Sequence, residues 1–348
     1  MKHARPIVLY AAAVRDATGV NARPGAVLVQ DGKVIAAGEP ASLPAELVEQ
    51  AEVLDRRNCL LLPAMVNAHT HLELTSIGPQ PYDPAGGFVG WVKMVRARCA
   101  TEVFSTTESA RHGAECAKAS GVQAVGDIAS DDIHADIRRS VGLAGVTYLE
   151  LFGLGSPYDE PALELIQRSS EGLQPHAPYS AGRAVYQAAT FADRPVATHL
   201  AETKEEAAFV GQANGPLIDY AKSLDRWRDV FADDYRQSHT PVLWMRRYLD
   251  EIAHEGGWLL AHCNYLSDLD IQVLADGEAS VAYCPIASEY FGHKDHRYRD
   301  MIAAGVNVCL GTDSIVGTDP NDLQPLGLLS AMRRLHQRDL ADPDTLLA

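Results

Sequence analysis

The chain has few of the features that mark secreted, membrane-spanning or disulfide-bonded proteins. Its 348 residues include 6 cysteines, and no two of them form a C-x-x-C pair. This argues against a disulfide framework and against a cysteine-ligated zinc, and it favours reduced thiols in the cytoplasm. Because nowhere do about 18 apolar residues follow one another, no segment is predicted to span a membrane.

Positive charge is also scarce. The 46 acidic residues outnumber the 30 basic ones, which gives a formal net charge of -16. A field of that sign repels phosphate backbones and anionic lipid surfaces. We therefore expect no nucleic-acid or membrane partner and expect a small-molecule substrate.

The sequence contains two successive patterns. Up to about residue 59 it is rich in strands and turns, as in AVLVQDGKVIAAG, where the turn signal Asp31-Gly32 joins two apolar segments. From residue 60 onward, short aliphatic strands alternate with helical segments. The prediction is an α/β protein, with a small β-sandwich module at 1–59 and a TIM-type (β/α)8 barrel at 60–348. Its eight barrel strands are expected at 60–69, 122–128, 146–152, 173–177, 195–200, 257–263, 279–285 and 306–312.

One connection in the predicted barrel is long. More than fifty residues, about 203–256, separate the fifth strand from the sixth, where a simple helix and its loops would need far fewer. Insertions at that end of a barrel commonly form lids or walls of a substrate site.

Polar side chains gather where the predicted strands end. His69 and His71 follow the first strand, and His176, His199, His262 and Asp313 follow the fourth, fifth, sixth and eighth strands. The carboxyl ends of the strands meet at one face of such a barrel, where active sites are built.

Each of these residues has an ordinary explanation when taken alone. An isolated H-x-H is more often a structural pair, and Asp313 could simply cap a helix. Residues i and i+2 of a strand do share a face, so His69 and His71 can address one ion. Their coincidence with histidines on later strands favours a metal site, and imidazole and carboxylate ligands suit Zn²⁺ or Fe²⁺.

The ordered motifs NAHTH, PHAPYS, THLAE, LAHC and LGTDS resemble the amidohydrolase superfamily, in its cytosine deaminase-like and chlorohydrolase-like branch, over roughly residues 25–345. The resemblance implies a hydrolase acting on carbon–nitrogen bonds other than peptide bonds. It implies one divalent metal, Zn²⁺ ahead of Fe²⁺, held by His69, His71, His199 and Asp313. A single ion is favoured because His176 stands where two-metal members carry a modified lysine. A homodimer is compatible with the resemblance.

The same resemblance implies roles in catalysis. Glu202 would carry a proton from water to the substrate ring nitrogen and then to the leaving amine. His262 would orient the water or the tetrahedral intermediate, and Asp313 would take the other proton of the water.

The segments HTHLELT and FVGWVKMVRAR are most similar to aminodeoxyfutalosine deaminases of the alternative menaquinone pathway, which remove the 6-amino group of an adenine nucleoside. By that analogy Glu73, Trp91 and His176 face the substrate, Trp91 by stacking on it. Glu150 and Tyr179 are further candidates for the pocket. The alternative for Trp91 is an aromatic side chain that packs a helix onto the barrel.

Two departures from the family pattern stand out. Ile286-Ala287-Ser288-Glu289 follows Cys284-Pro285, where the family usually has a Ser-Asn or Ser-His pair. The chain also ends at DPDTLLA, where relatives continue through further strands of the small module. Either the chain is a fragment, or the module lacks its usual C-terminal strands and is expected to expose sheet edges.

Other functions are compatible with the same sequence. Within the superfamily they are deamination of guanine, cytosine or an s-triazine, dechlorination, and hydrolysis of a cyclic amide. From another class, the chain could be a non-catalytic barrel that serves as a scaffold, although such proteins typically lose metal ligands.

Overall fold

The computed structural model describes residues 4–16, 18–101, 104–235 and 238–347. The chain forms two compact units. The smaller comprises Met1–Ala64 with Met332–Ala348, and the larger comprises Met65–Ala331. The strands are β1 (Ile7–Arg15), β2 (Asn21–Ala22), β3 (Gly25–Gln30), β4 (Lys33–Gly38), β5 (Glu52–Leu61), β6 (Met65–Thr70), β7 (Val122–Ala129), β8 (Ala144–Leu151), β9 (Gly172–Pro175), β10 (Val196–Leu200), β11 (Trp258–His262), β12 (Ser280–Tyr283) and β13 (Asn307–Leu310).

Helices follow most of the strands. The α-helices are α1 (Ala45–Gln50), α2 (Gly87–Cys99), α3 (Thr106–Ala119), α4 (Ile133–Val141), α5 (Glu160–Arg168), α6 (Arg183–Thr190), α7 (Lys204–Gln212), α8 (Pro216–Ser223), α9 (Pro241–Asp250), α10 (Asp268–Asp276), α11 (Pro285–Tyr290), α12 (Tyr298–Ala303), α13 (Leu328–Asp339) and α14 (Pro343–Leu347). Short 3-10 helices lie at Pro40–Ser42, Leu72–Ile77, Asp229–Asp234 and Ile315–Gly317.

The smaller unit contains a five-stranded sheet. Its order is β2-β1-β3-β4, and β5 pairs with β1 in parallel. β3 and β4 form the hairpin that the sequence predicts, with Asp31 and Gly32 both at positive φ in the turn. Apolar side chains bury one another in a core of this unit; they are Val8, Ala26, Leu28, Leu43 and Ala51.

The larger unit is an eight-stranded parallel sheet in which β6 to β13 lie in chain order. Its first and last strands meet through an isolated parallel bridge between Thr70 and Asp313. The Asn67 amide donates to Thr312 Oγ1 at 2.7 Å, and the backbone N–H groups of Thr312 and Asp313 both donate to the His69 carbonyl. These bonds complete a (β/α)8 barrel at the point where two of the polar motifs, NAHTH and LGTDS, lie.

All eight predicted barrel strands are present, but the first was placed wrongly at its N-terminal end. Leu60 and Leu61 belong to β5, where they pair with Ala13 and Val14 of the small sheet. Leu60 is 52% exposed, so the aliphatic run is not the buried start of the barrel. The barrel strand begins at Met65, after Pro63 and Ala64. Apolar residues predict a strand here, but they do not say which sheet the strand joins.

The long segment after β10 folds largely into helices. It contains α7, α8, the 3-10 helix Asp229–Asp234 and α9; residues 236 and 237 of the predicted insertion lie outside the described residues. α7 is capped by Thr203, whose hydroxyl accepts from the Glu206 N–H, and α9 is capped in the same way by Thr240. Among the described residues no helix is both long and apolar enough to cross a membrane.

Candidate active site

The site lies at the carboxyl ends of the barrel strands. β6 carries His69 and leads into His71, β9 leads into His176, β10 carries His199, and β11 ends at His262. The side chains expected at this end of the barrel therefore do meet there, and the pairing of β6 with β13 brings Asp313 to the same place.

His69, His71, His199 and Asp313 form the centre of the site. The Nε2 atoms of His71 and His199 are 3.3 Å apart, and His71 Nε2 lies 3.4 Å from Asp313 Oδ1. His69 Nε2 lies 3.8 Å from the same oxygen. In two groups of three, His69 with His71 and His199, and His69 with His262 and Asp313, one ligand atom from each residue lies within 4.8 Å of the others.

The buried histidines of the site are neutral, so each has a ring nitrogen with a lone pair. His69 is fully buried, and within the described residues neither of its ring nitrogens has a hydrogen-bond partner. Burial, followed by repulsion from His199, holds the pKa of His69 well below its usual 6.5, and burial lowers that of His199 to about 4. A neutral, unpartnered buried imidazole is costly in a core but is what a divalent cation requires. The set fits a metal ion.

One backbone contact orients His199. Its Nδ1 lies 2.8 Å from the His176 carbonyl, so that nitrogen carries the proton and donates it. The lone pair is therefore on Nε2, which faces His71. Metal-binding histidines are commonly fixed in this way through their second nitrogen.

Glu202 and His262 lie beside this centre, with 3.7 Å between Oε1 and Nε2. Burial, and next the nearby Asp313, raise the pKa of Glu202 well above its usual value, while burial lowers that of His262. A carboxyl and an imidazole in contact, one tending to hold a proton and the other to lack one, can exchange it with a substrate.

The backbone is strained where these strands end. Asp313 has φ of 58° and His262 has φ of 76°, both in the left-handed region that side chains with a Cβ rarely adopt. Such strain clusters at functional sites, where the surrounding structure holds it in place.

Three of the predicted substrate contacts adjoin the centre. His176 Nε2 lies 3.7 Å from Glu150 Oε1, and the His176 ring lies 5.5 Å from the Tyr179 ring and 4.9 Å from the His199 ring. Burial raises the pKa of Glu150 to about 8. Glu150, His176 and His199 also form a third group whose ligand atoms lie within 4.8 Å of one another.

Glu73 is held by the loop that follows β7. Its Oε2 accepts from the Ser130 N–H at 2.9 Å and from the Ser130 hydroxyl at 2.7 Å, and it lies 3.1 Å from His134 Nδ1. His134 is 1% exposed, and Asp127 lies buried nearby with its pKa raised by burial to about 7. Sequence reasoning missed His134 and Asp127 because neither belongs to the ordered motifs.

Trp91 lies on α2 within an aromatic cluster. Its ring stacks on Phe88 at 5.7 Å and meets Phe291 edge-on at 5.2 Å. Phe88 in turn contacts Tyr179, with 6.2 Å between ring centroids. These contacts pack α2 against the site; stacking of Trp91 on a substrate stays a prediction.

A cavity of about 390 Å³ begins at Thr203, the residue that follows Glu202. Thr203, Lys204 and Glu205 line it from the start of the long segment after β10, and Tyr265 and Phe291 line its other walls. Part of that segment therefore forms a wall of this cavity. A cavity of this size suits a ligand larger than a water molecule.

Comparison with known proteins identifies the family. Residues 60–345 match the model of the Amidohydrolase family. The chain belongs to this family. It is therefore a hydrolase acting on carbon–nitrogen bonds other than peptide bonds. The buried histidine and aspartate groups described above are the candidate metal ligands of this chain.

Curated relatives include an aminodeoxyfutalosine deaminase of Deinococcus radiodurans, 27% identical over 314 residues, covering 84% of this chain and 72% of that protein. A 5'-deoxyadenosine deaminase of Methanothrix thermoacetophila is 25% identical over 286 residues, covering 78% of this chain and 62% of that protein. The chain thus matches less than two thirds of the second relative's length.

Among solved structures, the aminofutalosine deaminase of Helicobacter pylori in complex with methylthio-coformycin superposes with a TM-score of 0.74. The two are 21% identical in sequence, and the match covers 95% of this chain and 81% of that one. At this level of identity the likeness shows the shared fold.

Proposed function

We propose that this amidohydrolase is a metal-dependent aminohydrolase that replaces the 6-amino group of an adenine-type nucleoside and releases ammonia. The observation that carries the proposal is the contact of Glu202 with His262, 3.7 Å apart, beside the cluster of His69, His71, His199 and Asp313. The names of the relatives, deaminases of deoxyadenosine and aminodeoxyfutalosine, support an adenine nucleoside.

His69, His71, His199 and Asp313 would hold one divalent cation, with Zn²⁺ as the first choice. When bound, the cation would lower the pKa of a water molecule and so supply a nucleophile near neutral pH. The neutral state of the imidazoles in this cluster means that they can bind a cation without first losing protons.

The residues beside the cation would move the protons. Glu202 takes a proton from the attacking water and gives it to the ring nitrogen next to the amino-bearing carbon. As the carbonyl forms, Asp313 accepts the second proton of the water and returns it through Glu202 to the amine, which leaves as ammonia. His262, in contact with Glu202, orients the water.

The substrate would lie between the cation and the residues that line the entrance. Glu150 and His176 adjoin His199 and can make hydrogen bonds to a purine, and Tyr179 packs on His176. Glu73 is held with Oε2 occupied by Ser130, which leaves its second oxygen to bind a hydroxyl group of the sugar. Aminodeoxyfutalosine is the nucleoside we propose to test first.

The test is ammonia release from a panel of 6-aminopurine nucleosides and nucleobases, measured on protein of known metal content. Turnover of one or more nucleosides is expected, with aminodeoxyfutalosine and 5'-deoxyadenosine in the panel. Guanine, cytosine and a chlorinated triazine complete it, with chloride release measured for the last. Faster turnover of any of these three, or no turnover by the metal-loaded protein, would overturn the proposal.

A further inference from the structure

Glu206 is a buried carboxylate that faces the backbone of the site. It lies in the first turn of α7 and is 0% exposed. Its Oε1 accepts from the Ala201 N–H at 3.0 Å, and its Oε2 accepts from the Glu202 N–H at 2.8 Å. The two oxygens therefore hold two of the three residues that join β10 to α7.

The carbonyl of Glu202 is held from the neighbouring strand. Asn264, two residues beyond β11, donates from Nδ2 to that carbonyl at 3.0 Å. Its own Oδ1 accepts from the Ser288 hydroxyl at 3.1 Å, and its backbone N–H donates to the Ala201 carbonyl at 2.9 Å. Both backbone polar groups of Glu202 are thus bonded to side chains that come from other parts of the barrel.

The bonds made by Glu206 go beyond those that cap a helix, as a comparison with α10 shows. α10 begins with an ordinary capping box, in which the Asp270 carboxylate bonds to the N–H of its own cap residue, Ser267, at 2.7 Å. At the start of α7, Thr203 caps the Glu206 N–H in the same way. The Glu206 carboxylate, however, reaches past the cap to the two residues before it.

The backbone at this turn needs to be held. Ala201 has φ of 50°, and on the adjacent strand His262 and Cys263 have φ of 76° and 50°. Each lies in the left-handed region, which residues other than glycine adopt only when neighbouring bonds fix them. Relaxation of this backbone would move the Glu202 side chain away from His262, which it now meets at 3.7 Å.

We propose that Glu206 and Asn264 are positioning residues, which hold the strained backbone at Ala201 and the peptide groups of Glu202 so that the Glu202 carboxyl lies where it can transfer protons. The inference rests on the proposed function, in which Glu202 is the proton carrier. Ser288 takes part through Asn264, and this is how the segment after β12 contributes although it lacks the usual family pair.

The test uses Glu206→Gln and Asn264→Ala in the metal-loaded protein, with Asp270→Asn as the matched control. The amide introduced by Glu206→Gln presents an NH₂ group to one of the two N–H donors, so the turn loses a bond without losing volume. We expect kcat to fall by about 10²-fold, as misplacement of a catalytic group by about 1 Å does, with KM and metal content nearly unchanged. Asp270→Asn weakens an ordinary capping box that does not reach Ala201 or Glu202, and it should keep kcat.

A second measurement does not depend on turnover. Hydrogen exchange of residues 196–210, followed by mass spectrometry on the metal-free and metal-loaded proteins, should be faster in Glu206→Gln than in wild type. Asp270→Asn should leave exchange in that segment unchanged. Ser288→Ala, which removes only the support of Asn264, should lower kcat less than Asn264→Ala does.

The outcomes separate this inference from the proposed function. If Glu202→Gln abolishes turnover while Glu206→Gln and Asn264→Ala keep kcat, the positioning role is wrong and the proposed function stands. A rise in KM or a loss of metal with unchanged kcat would also overturn the positioning role. If Glu202→Gln itself keeps full turnover, the proton-carrier role in the proposed function is wrong.

Discussion

His199 shows how a single backbone contact prepares a side chain for its role. The hydrogen bond from its Nδ1 to the His176 carbonyl fixes the tautomer, and burial keeps the ring neutral with a pKa of about 4. The neighbouring strand therefore sets the direction of the lone pair, and burial, rather than another charged group, keeps the ring neutral.

Glu202→Gln tests whether Glu202 carries the protons. The amide keeps the shape of the side chain but cannot carry a proton between water, ring nitrogen and amine. We expect kcat to fall by about 10²–10⁴-fold, the usual contribution of general acid–base catalysis, with metal content unchanged. Steady-state ammonia release and metal analysis of the same preparation provide the check. Full turnover with full metal content would contradict the assignment.

The pair of Glu73 and His134 gives a pH-dependent prediction. Burial alone would lower the pKa of His134, but the Glu73 carboxylate, 3.1 Å from Nδ1, outweighs it and the pKa is raised above 6.5. The pair thus stabilises the fold fully below about pH 6.5, and this contribution is lost as the pH rises through the higher pKa of the folded state.

In Glu73→Gln the pKa of His134 should fall, because burial then acts with less opposition. An NMR titration of the His134 ring measures this shift directly. The difference in unfolding free energy between wild type and Glu73→Gln should be larger at pH 6 than at pH 8.5, by about 1.4 kcal/mol for each unit of pKa change. A difference that does not vary with pH would show that the pair carries no charge.

The packing of β8 against β7 requires a glycine. Gly145 has φ of +111°, and a Cβ there would lie 2.0 Å from the Val125 carbonyl oxygen. We expect Gly145→Ala to lower the free energy of unfolding by about 2–5 kcal/mol, from backbone strain and overlap together. Urea unfolding followed by circular dichroism would measure the loss.

Gly90→Ala is the matched control. Gly90 lies within α2, and a Cβ there would meet nothing within 4 Å. Because alanine favours a helix interior over glycine by up to about 1 kcal/mol, this variant should be as stable as wild type or more stable. If Gly145→Ala proved equally harmless, the close approach of β7 and β8 would not be rigid.

The elements could be predicted from sequence because each barrel strand is a short aliphatic run between turn signals. The site could be predicted because its polar residues occupy the matching end of each run. The assignment of Leu60 failed because apolar residues predict burial, and this strand joins the small sheet, where Leu60 is half exposed.

Glu206 could have been found from sequence, since Thr203-x-x-Glu206 has the spacing of a capping box. That pattern predicts a helix start, however, and gives no sign that the carboxylate reaches back to Ala201 and Glu202. Asn264 and His134 carried no such signal, because their partners lie 62 and 61 positions away in the chain and are set only by strand pairing and loop packing.

Metal binding should increase the stability of the folded chain. A cation that binds the folded chain alone stabilises it by about 4 kcal/mol when present at 1,000 times its Kd. We expect chelator treatment to lower Tm and added Zn²⁺ to restore it. In His71→Gln, which removes a donor that lies within 3.4 Å of Asp313, the Zn²⁺-dependent rise should be much smaller. Calorimetry of the two proteins is the measurement, and an equal rise in both would argue against the site.

The complete burial of His69 has a consequence for how the protein would acquire an ion. Both ring nitrogens are buried, and the rings of His71, His199 and His262 lie 5.1, 5.0 and 5.4 Å from the His69 ring. An ion should therefore enter and leave mainly when the strand ends open locally, which is a slow event. The metal found in the purified enzyme would then record which cation was abundant while the chain folded, more than which one binds most tightly at equilibrium.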